Sequence, residues 1–112
     1  MARVKSIASR KHRKILKAAR GFTQARRRRV KTAKEALMHA GQYAYVGRKL
    51  RKRDLRSLWT MRINAAVREE GMSYSRFISA LKKKDIQIDR KMLAEIAATD
   101  PASFKEIINQ VK

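Results

Sequence analysis

The sequence predicts an all-α protein in which a long basic helical N-terminal arm is followed by a small globular helical domain. Three observations favour this fold: Lys and Arg concentrate in the first half, apolar residues recur at three- and four-residue spacings, and helix-capping residues precede several apolar runs. Residues 1–60 hold 20 basic residues and two acids, Glu35 and Asp54, whereas residues 61–112 hold 10 and 7. We therefore expect an extended helical arm over residues 1–54 and a globular helical domain over residues 55–112.

The arm is predicted to contain two helices. Residues 1–9 have no helical period, which indicates a flexible tip, and Ser9 is in position to cap a short basic helix from Arg10 to Arg20. Gly21 follows where glycine commonly ends a helix. A longer helix is predicted from Gln24 to Arg53 on a narrow stripe of mostly alanine, which buries little area. A solvated basic tail in the free state is the alternative, and it stays open because such arms often fold on binding.

The domain is predicted to begin with a helix whose apolar stripe faces the core. Its members follow one another at spacings of four, with two further apolar residues beside them: Leu55, Trp59, Ile63 and Val67, then Leu58 and Ala66. Asp54 either caps this helix or lies within a continuing one, and Gly71 closes it. We expect Trp59 to pack in the core.

Three shorter helices are predicted after Gly71. Their caps are Ser73 or Ser75 for the first, Asp89 for the second, and Asp100 with Pro101 at the first helical position for the third. The apolar residues expected to point inward are Phe77, Ile78, Leu81, Met92, Leu93, Ile96, Ala97, Phe104, Ile107, Ile108 and Val111.

The residue types exclude several classes of function. There is no cysteine, so disulfides and cysteine-ligated metals are excluded, and His12 and His39 are far apart in sequence, so we expect no metal site. No catalytic constellation or glycine-rich phosphate loop is present, so we expect no enzyme, no cofactor and no small-molecule substrate. No apolar run approaches the ~20 residues of a membrane span, and no signal-peptide core follows the N-terminus. We expect a mature, soluble chain in a cytoplasm-like compartment.

A formal net charge of +21 over 112 residues indicates a polyanionic partner. The four arginines from Arg26 to Arg29 would point around every side of a helix, which suits a rod surrounded by the phosphates of folded RNA. A membrane-surface helix would need one large apolar face, which the alanine stripe lacks. A protein that compacts DNA would carry the same charge, and this alternative stays open.

Two tyrosines lie among the basic residues. Tyr43 and Tyr45 diverge by about 160° on a helix, so they cannot both face one core. Either one of them stacks on an exposed base or hydrogen-bonds to the RNA backbone, or one is a core residue and the other has no role.

Beyond these patterns, the chain resembles the bacterial-type large-subunit ribosomal protein L-twenty family over essentially its whole length. The residues that carry the resemblance are Met1–Lys5, Lys14–Phe22, Gly41–Tyr45, Arg51–Arg53, Leu58–Trp59, Arg62–Ala66, Gly71, Ser73–Ser75, Phe77–Ile78, Leu81–Lys83 and Asp89–Lys91. The blocks Trp59–Ala66 and Ser73–Ile78 are specific, whereas the basic clusters alone are not.

The resemblance implies a structural constituent of the large ribosomal subunit that binds its RNA directly and organises it early in assembly. Its implied partners are large-subunit ribosomal RNA and neighbouring ribosomal proteins, and its implied location is the ribosome, bacterial or organellar. Some members of the family also bind the messenger of their own operon and repress its translation, which is a further hypothesis for this chain.

The charge pattern and the family resemblance together indicate a set of candidate RNA contacts. The predicted phosphate contacts of the arm are Arg10, Lys11, Arg13, Lys14, Arg26, Arg27, Arg28, Arg29, Arg51, Lys52 and Arg53. A second group, on the predicted surface of the domain, is Arg62, Arg76, Lys82, Lys83 and Arg90.

Overall fold

The computed structural model describes residues 6–112, whose regular structure is entirely helical, and this confirms the predicted fold class. The elements are α1 (Ile7–Ala18), a 3₁₀ helix (Gln24–Arg27), α2 (Val30–Glu69), α3 (Tyr74–Lys83), α4 (Arg90–Thr99) and α5 (Pro101–Val111). The chain forms two compact units, of which the first ends at Lys49 and the second begins at Leu50, within α2. The division at 54/55 into an RNA-penetrating arm and an RNA-binding domain is one of function, and it stays a prediction.

The first helix begins earlier than the sequence predicted. Ser6, not Ser9, is its N-cap, because the Ser6 hydroxyl oxygen accepts a hydrogen bond from the Ser9 backbone N–H at 3.2 Å. Of the predicted flexible tip, residues 1–5 lie outside the described residues and residues 7–9 are helical, so that part of the prediction was wrong. The helix ends at Ala18, and Gly21 turns the chain with a φ of 90°, a conformation that favours glycine.

The predicted start of the long helix at Gln24 was also wrong. Gln24 has a φ of 48°, a 3₁₀ helix follows it, and α2 begins only at Val30. Ala25 is half-buried, whereas the four arginines that follow it are all exposed. Since this run offers no apolar contact to hold a longer helix, and its like charges repel one another, a short turn with a tighter helix results.

The first unit has a small core, as the alanine stripe predicted. Its fully buried residues are Ala19 and Ala33, and Ile15, Leu16 and Phe22 are half-buried. Alanine removes little apolar area from water, so this unit gains little stability from its own core.

The helix α2 then continues without interruption through Asp54, which therefore does not cap a new helix. Every residue from Met38 to Leu58 is exposed. Gly41 and Gly47 lie in this stretch, and a Cβ added at either would meet no heavy atom within 4 Å. No side chain therefore packs over Gly41 or Gly47, and the cations in the middle of α2 are accessible to solvent.

The core of the second unit combines all four of its helical segments. Its buried residues are Ile63, Val67, Phe77, Leu81, Leu93, Ala94, Phe104, Ile108 and Val111. The rings of Phe77 and Phe104 lie 5.7 Å apart between centroids, in a tilted arrangement. Ile78, Ile96, Ala97 and Ile107 are half-buried against this cluster.

The core begins later along α2 than predicted. Leu55 and Leu58 are 39% and 38% exposed, and Trp59 is half-buried against the edge of the core instead of lying within it. Met92, which was predicted to point inward, is 55% exposed because α4 turns its neighbour Leu93 to the core. The four-residue spacing gave the correct face of α2, but it did not show where along the helix the packing partners begin.

The caps of the shorter helices follow the sequence closely. Gly71 turns the chain with a φ of 76°, and Ser73 is the N-cap of α3. Asp89 occupies the N-cap of α4 without a side-chain capping bond, whereas the Asp100 carboxylate accepts the Ser103 backbone N–H at 3.2 Å and the Ser103 hydroxyl. Pro101 then fills the first turn of α5.

Replacing Phe77 by alanine is expected to destabilise the second unit by about 3–5 kcal/mol, because a fully buried ring is lost from a closed core. Trp59→Ala is expected to cost less, since that ring is only half-buried. Chemical denaturation of the full-length variants measures both. Met61→Ala, at a side chain 66% exposed, is the control and is expected to change stability by under about 0.5 kcal/mol. If Phe77→Ala lowered the free energy of unfolding by less than about 1 kcal/mol, the placement of Phe77 in a closed core would be contradicted.

Asp100 is expected to make stability depend on pH. The hydrogen bonds from the Ser103 hydroxyl and backbone N–H lower the pKa of its carboxyl below the usual 3.8. The carboxylate therefore stabilises the fold above that value, and this contribution is lost as the pH falls through the lower folded-state pKa. Thermal melts of Asp100→Ala should show a lower Tm than the wild type at pH 7 and converge with it in acid.

Asp89→Ala is the matched control for the Asp100 variant, since Asp89 is also an N-cap aspartate but makes no side-chain capping bond. Its Tm at pH 7 should fall less than that of Asp100→Ala. Equal losses in the two variants, or a gap for Asp100→Ala that persists in acid, would contradict the role of the Ser103 bonds.

Candidate nucleic-acid interface

Three elements present the basic clusters of the arm. The cations of residues 10–14 lie on α1, those of 26–29 on the 3₁₀ helix and the turn after it, and those of 48–53 on α2. All the predicted phosphate contacts in these clusters are exposed: Arg10, Lys11, Arg13, Lys14, Arg26, Arg27, Arg28, Arg29, Arg51, Lys52 and Arg53. Their exposure makes them available to a ligand; that they contact phosphate stays a prediction.

These cations also lack carboxylate partners within the described part of the chain. Among residues 6–112 the one salt bridge joins the Lys105 Nζ to the Glu70 Oε1 at 3.2 Å, in the second unit. In the first cluster, the Arg13 Nη2 donates to the Ser9 hydroxyl at 3.3 Å, which leaves its charge uncompensated. The positive charge of the arm is therefore not used to hold its own fold together.

The second group of predicted contacts is distributed over more than one groove. Arg76 and Lys83 line a groove at the end of α3, together with Lys84 and Lys112, which the sequence analysis did not select. Arg62 lines a different groove, beside Ala97 and Phe104. Lys82 is exposed on α3 and lines neither groove. The Lys84 ammonium donates to the Gln110 carbonyl, which ties the end of α3 to α5.

Arg90 has a structural partner. Its Nε donates to the Tyr74 hydroxyl at 3.0 Å, and the residue is half-buried. Partial burial raises the pKa of Tyr74, but the hydrogen bonds with Arg90 and Thr60 and the charges of Arg90 and Arg56 outweigh it and lower that pKa. Arg90 is consequently less available to an external phosphate than the other predicted contacts.

Neither tyrosine of the arm is a core residue, so that alternative from the sequence analysis was wrong. Tyr43 is 74% exposed and pairs with His39, whose ring centroid lies 6.5 Å away at an interplanar angle of 29°. Tyr45 is 56% exposed, and the Lys49 Nζ lies 4.9 Å from its ring centroid.

The ring of Tyr43 lies at a groove within the first unit. The groove runs between one face of α2 and the loop that follows α1, and its lining is Gly21, Phe22, Thr23, Arg26, Thr32, Glu35, Ala36, His39, Ala40 and Tyr43. The sequence predicted that a helix ends at Gly21, but it did not show that the loop after it lies against one face of α2, so the groove was missed.

Residues 6–112 present neither a metal-binding cluster nor a membrane span. No cluster of three His, Cys, Asp or Glu side chains is placed to hold a metal ion there. None of the helices in that range combines the length and the apolar character of a membrane span.

The helical fold, the unpaired cations and the accessible arm define a class of protein, the basic helical proteins whose exposed charge is not neutralised within their own fold. A family profile described as ribosomal protein L20 matches residues 2–107. The chain is 54% identical to the large ribosomal subunit protein bL20 of Phenylobacterium zucineum, over 100% of this chain and 97% of the relative. It is also 54% identical to the protein of that name in Caldanaerobacter subterraneus, and 53% to that in Xylella fastidiosa, over 96% of each relative.

The chain therefore belongs to the ribosomal protein L20 family. This confirms the resemblance found in the residues, and it confirms that the chain is a ribosomal protein and not an enzyme.

If the cations of the arm serve a ligand and not the fold, removing them should not destabilise the free protein. The triple variant Arg51→Gln, Lys52→Gln, Arg53→Gln removes three exposed charges from α2, and glutamine forms helices about as well as arginine and lysine. We expect its Tm to equal or slightly exceed the wild-type value at low salt, because like-charge repulsion is relieved, and to match it at high salt.

The control for that variant is Lys105→Gln, which removes the salt bridge to Glu70 and should cost up to about 1 kcal/mol. A triple variant with a lower Tm at every salt concentration would show that the cluster holds the fold together, and would count against a role in binding.

Proposed function

We propose that this protein is a structural constituent of the large ribosomal subunit that binds large-subunit ribosomal RNA directly through its arm and helps to organise that RNA early in assembly. The relatives' name and full-length coverage support the place in the large subunit. The observation that carries direct RNA binding is the exposed, unpaired charge of the arm, which has 14 Lys and Arg against one acid over residues 6–49.

The mechanism is electrostatic. A folded RNA brings phosphates together at high density, and cations placed among them relieve the repulsion. Each phosphate that the protein neutralises releases condensed counterions, so affinity should fall steeply with salt. The clusters lie on three successive elements, which lets one arm contact phosphates of several RNA segments and hold them together.

Selectivity for RNA would come from shape and not from the sequence of a duplex. The major groove of A-form RNA is too narrow for side chains to read, so base-specific contacts are made where bases are unpaired. The arginines at 26–29 suit such a surface, because a guanidinium binds phosphate through two hydrogen bonds and also stacks on bases. Contacts of the second unit through Arg62, Arg76, Lys82 and Lys83 would add a smaller contribution.

Binding to large-subunit ribosomal RNA fragments and to equal-length duplex DNA should be measured from about 50 to 200 mM salt. We expect one RNA fragment to remain tightly bound at the higher salt while DNA is released. The Arg51, Lys52, Arg53 glutamine variant should bind that fragment with a salt dependence shallower by roughly two to three in log–log slope, if all three side chains contact phosphate.

Equal affinity for RNA and DNA that collapses with salt would instead identify a general nucleic-acid-compacting protein. An unchanged salt slope in the glutamine variant would remove residues 51–53 from the interface. The variant's thermal melt, measured in parallel, keeps a loss of fold from being mistaken for a loss of contact.

A further inference from the structure

We propose that the groove of the first unit, at Phe22, Arg26, Glu35, His39 and Tyr43, holds one unpaired RNA base that stacks on Tyr43 and presents an amino group to Glu35. The inference rests on the proposed function and deepens it, because it names a base-binding site within an interface otherwise made of phosphate contacts.

The shape of the groove suits a flat aromatic ligand. Thr32, Glu35, Ala36, His39, Ala40 and Tyr43 share one face of α2, at spacings of three and four. The small side chains at 32, 36 and 40 leave space between the loop carrying Phe22 and the rings of His39 and Tyr43. Those two rings lie 6.5 Å apart between centroids and only 29° from parallel, so they form a stacked aromatic pair.

The Tyr43 ring of this pair is open to a ligand. The Tyr43 side chain is 74% exposed, which is the largest exposed fraction among the large hydrophobic residues described. A tyrosine that serves only stability would bury more of its ring, because its contribution to folding comes from apolar area removed from water. Stacking of a base on such a ring is a recurrent means of binding single-stranded nucleic acid.

Glu35 decides between a base and a phosphate as the occupant. It is the one acid before Asp54 in the sequence, and it lines the groove together with Arg26 without forming a salt bridge with any cation described. A carboxylate repels a phosphate, so a groove that held the RNA backbone would be weakened by it. A carboxylate accepts hydrogen bonds from the amino groups of cytosine, adenine or guanine, whereas uracil has no amino group to offer.

Arg26 and the surrounding cations complete the site. The guanidinium of Arg26, at the loop side of the groove, can stack on the base or bind the phosphate next to it. The positive field of the surrounding basic residues attracts an RNA strand to this surface, so the single negative charge of Glu35 does not prevent the RNA from approaching. Within the groove, Glu35 favours the hydrogen-bonding edge of a base over a phosphate.

Tyr45 provides a matched control. It is two residues further along α2, it is 56% exposed, and it points away from the groove, where the Lys49 Nζ already lies 4.9 Å from its ring centroid. Tyr43→Leu and Tyr45→Leu thus make the same chemical change on the same helix, in and outside the groove. Tyr43→Phe keeps the ring and removes only the hydroxyl.

The first measurement is the affinity of the full-length variants for the ribosomal RNA fragment that the wild type binds most tightly, across the same salt series. Tyr43→Leu should weaken binding roughly 5- to 150-fold, the range that corresponds to loss of one stacked base. Its salt slope should stay unchanged, because no phosphate contact is lost. Tyr45→Leu and Tyr43→Phe should both remain within about twofold of the wild type.

The second measurement uses NMR of the wild-type protein with the tetranucleotides rA4, rC4 and rU4. Stacking should shift the ring protons of Tyr43 and His39 upfield with rA4 and rC4, at lower concentrations than with rU4. Glu35→Gln should reduce the preference for rA4 and rC4 over rU4.

Equal effects of the two leucine variants, or ring protons that do not shift, would overturn the base site even if the RNA fragment is bound selectively. A salt slope lowered by about one in Tyr43→Leu would also overturn it, by making a phosphate the occupant. Failure of the wild type to distinguish RNA from DNA would overturn the proposed function, and the ring-proton shifts would still decide the groove separately.

Discussion

The rest of the structure depends on positive charge that the chain does not neutralise itself. Residues 1–60 carry 20 Lys and Arg and two acids, and the one salt bridge found among residues 6–112 lies in the second unit, between Lys105 and Glu70. Like charges at this density oppose compaction, and the core of the first unit is correspondingly small, with two fully buried alanines. Its exposed cations are consequently placed for a ligand and not for internal pairing.

The second unit satisfies the opposite requirement. Residues 50–60 of this unit still carry four basic residues against one acid, but residues 61–112 carry 10 against 7, so that less repulsion opposes a core there. Side chains from all four of its helical segments bury one another there, with Phe77 and Phe104 at the centre. The core of the second unit is built from residues 59–112, whereas most of the exposed cations precede residue 59, so that the cations of the arm take no part in that core.

Sequence patterns predicted the parts of this structure that depend on local chemistry. The cap at Asp100 follows from side-chain hydrogen bonding, and the turns at Gly21 and Gly71 follow from glycine's access to positive φ; Ser73 is also an N-cap, although its side chain makes no capping bond. Periodicity also found the inward face of each helix, but it could not show where a face gains a partner. Hence Trp59 is half-buried instead of lying within the core. The aromatic groove was missed for the same reason, since periodicity does not show that the loop after α1 lies against one face of α2.

The turn at residues 24–29 changes the predicted conformation of the four arginines, but their charge still points in several directions. The four arginines were expected to surround an α-helix, but the first two lie on a 3₁₀ helix and the others on the turn after it. A 3₁₀ helix has three residues per turn, so successive side chains point about 120° apart. The positive charge still faces several directions, and no single charged face opposes an apolar one. A flat membrane would leave much of that charge unused, whereas a folded RNA, with phosphates on several sides, can bind all of it.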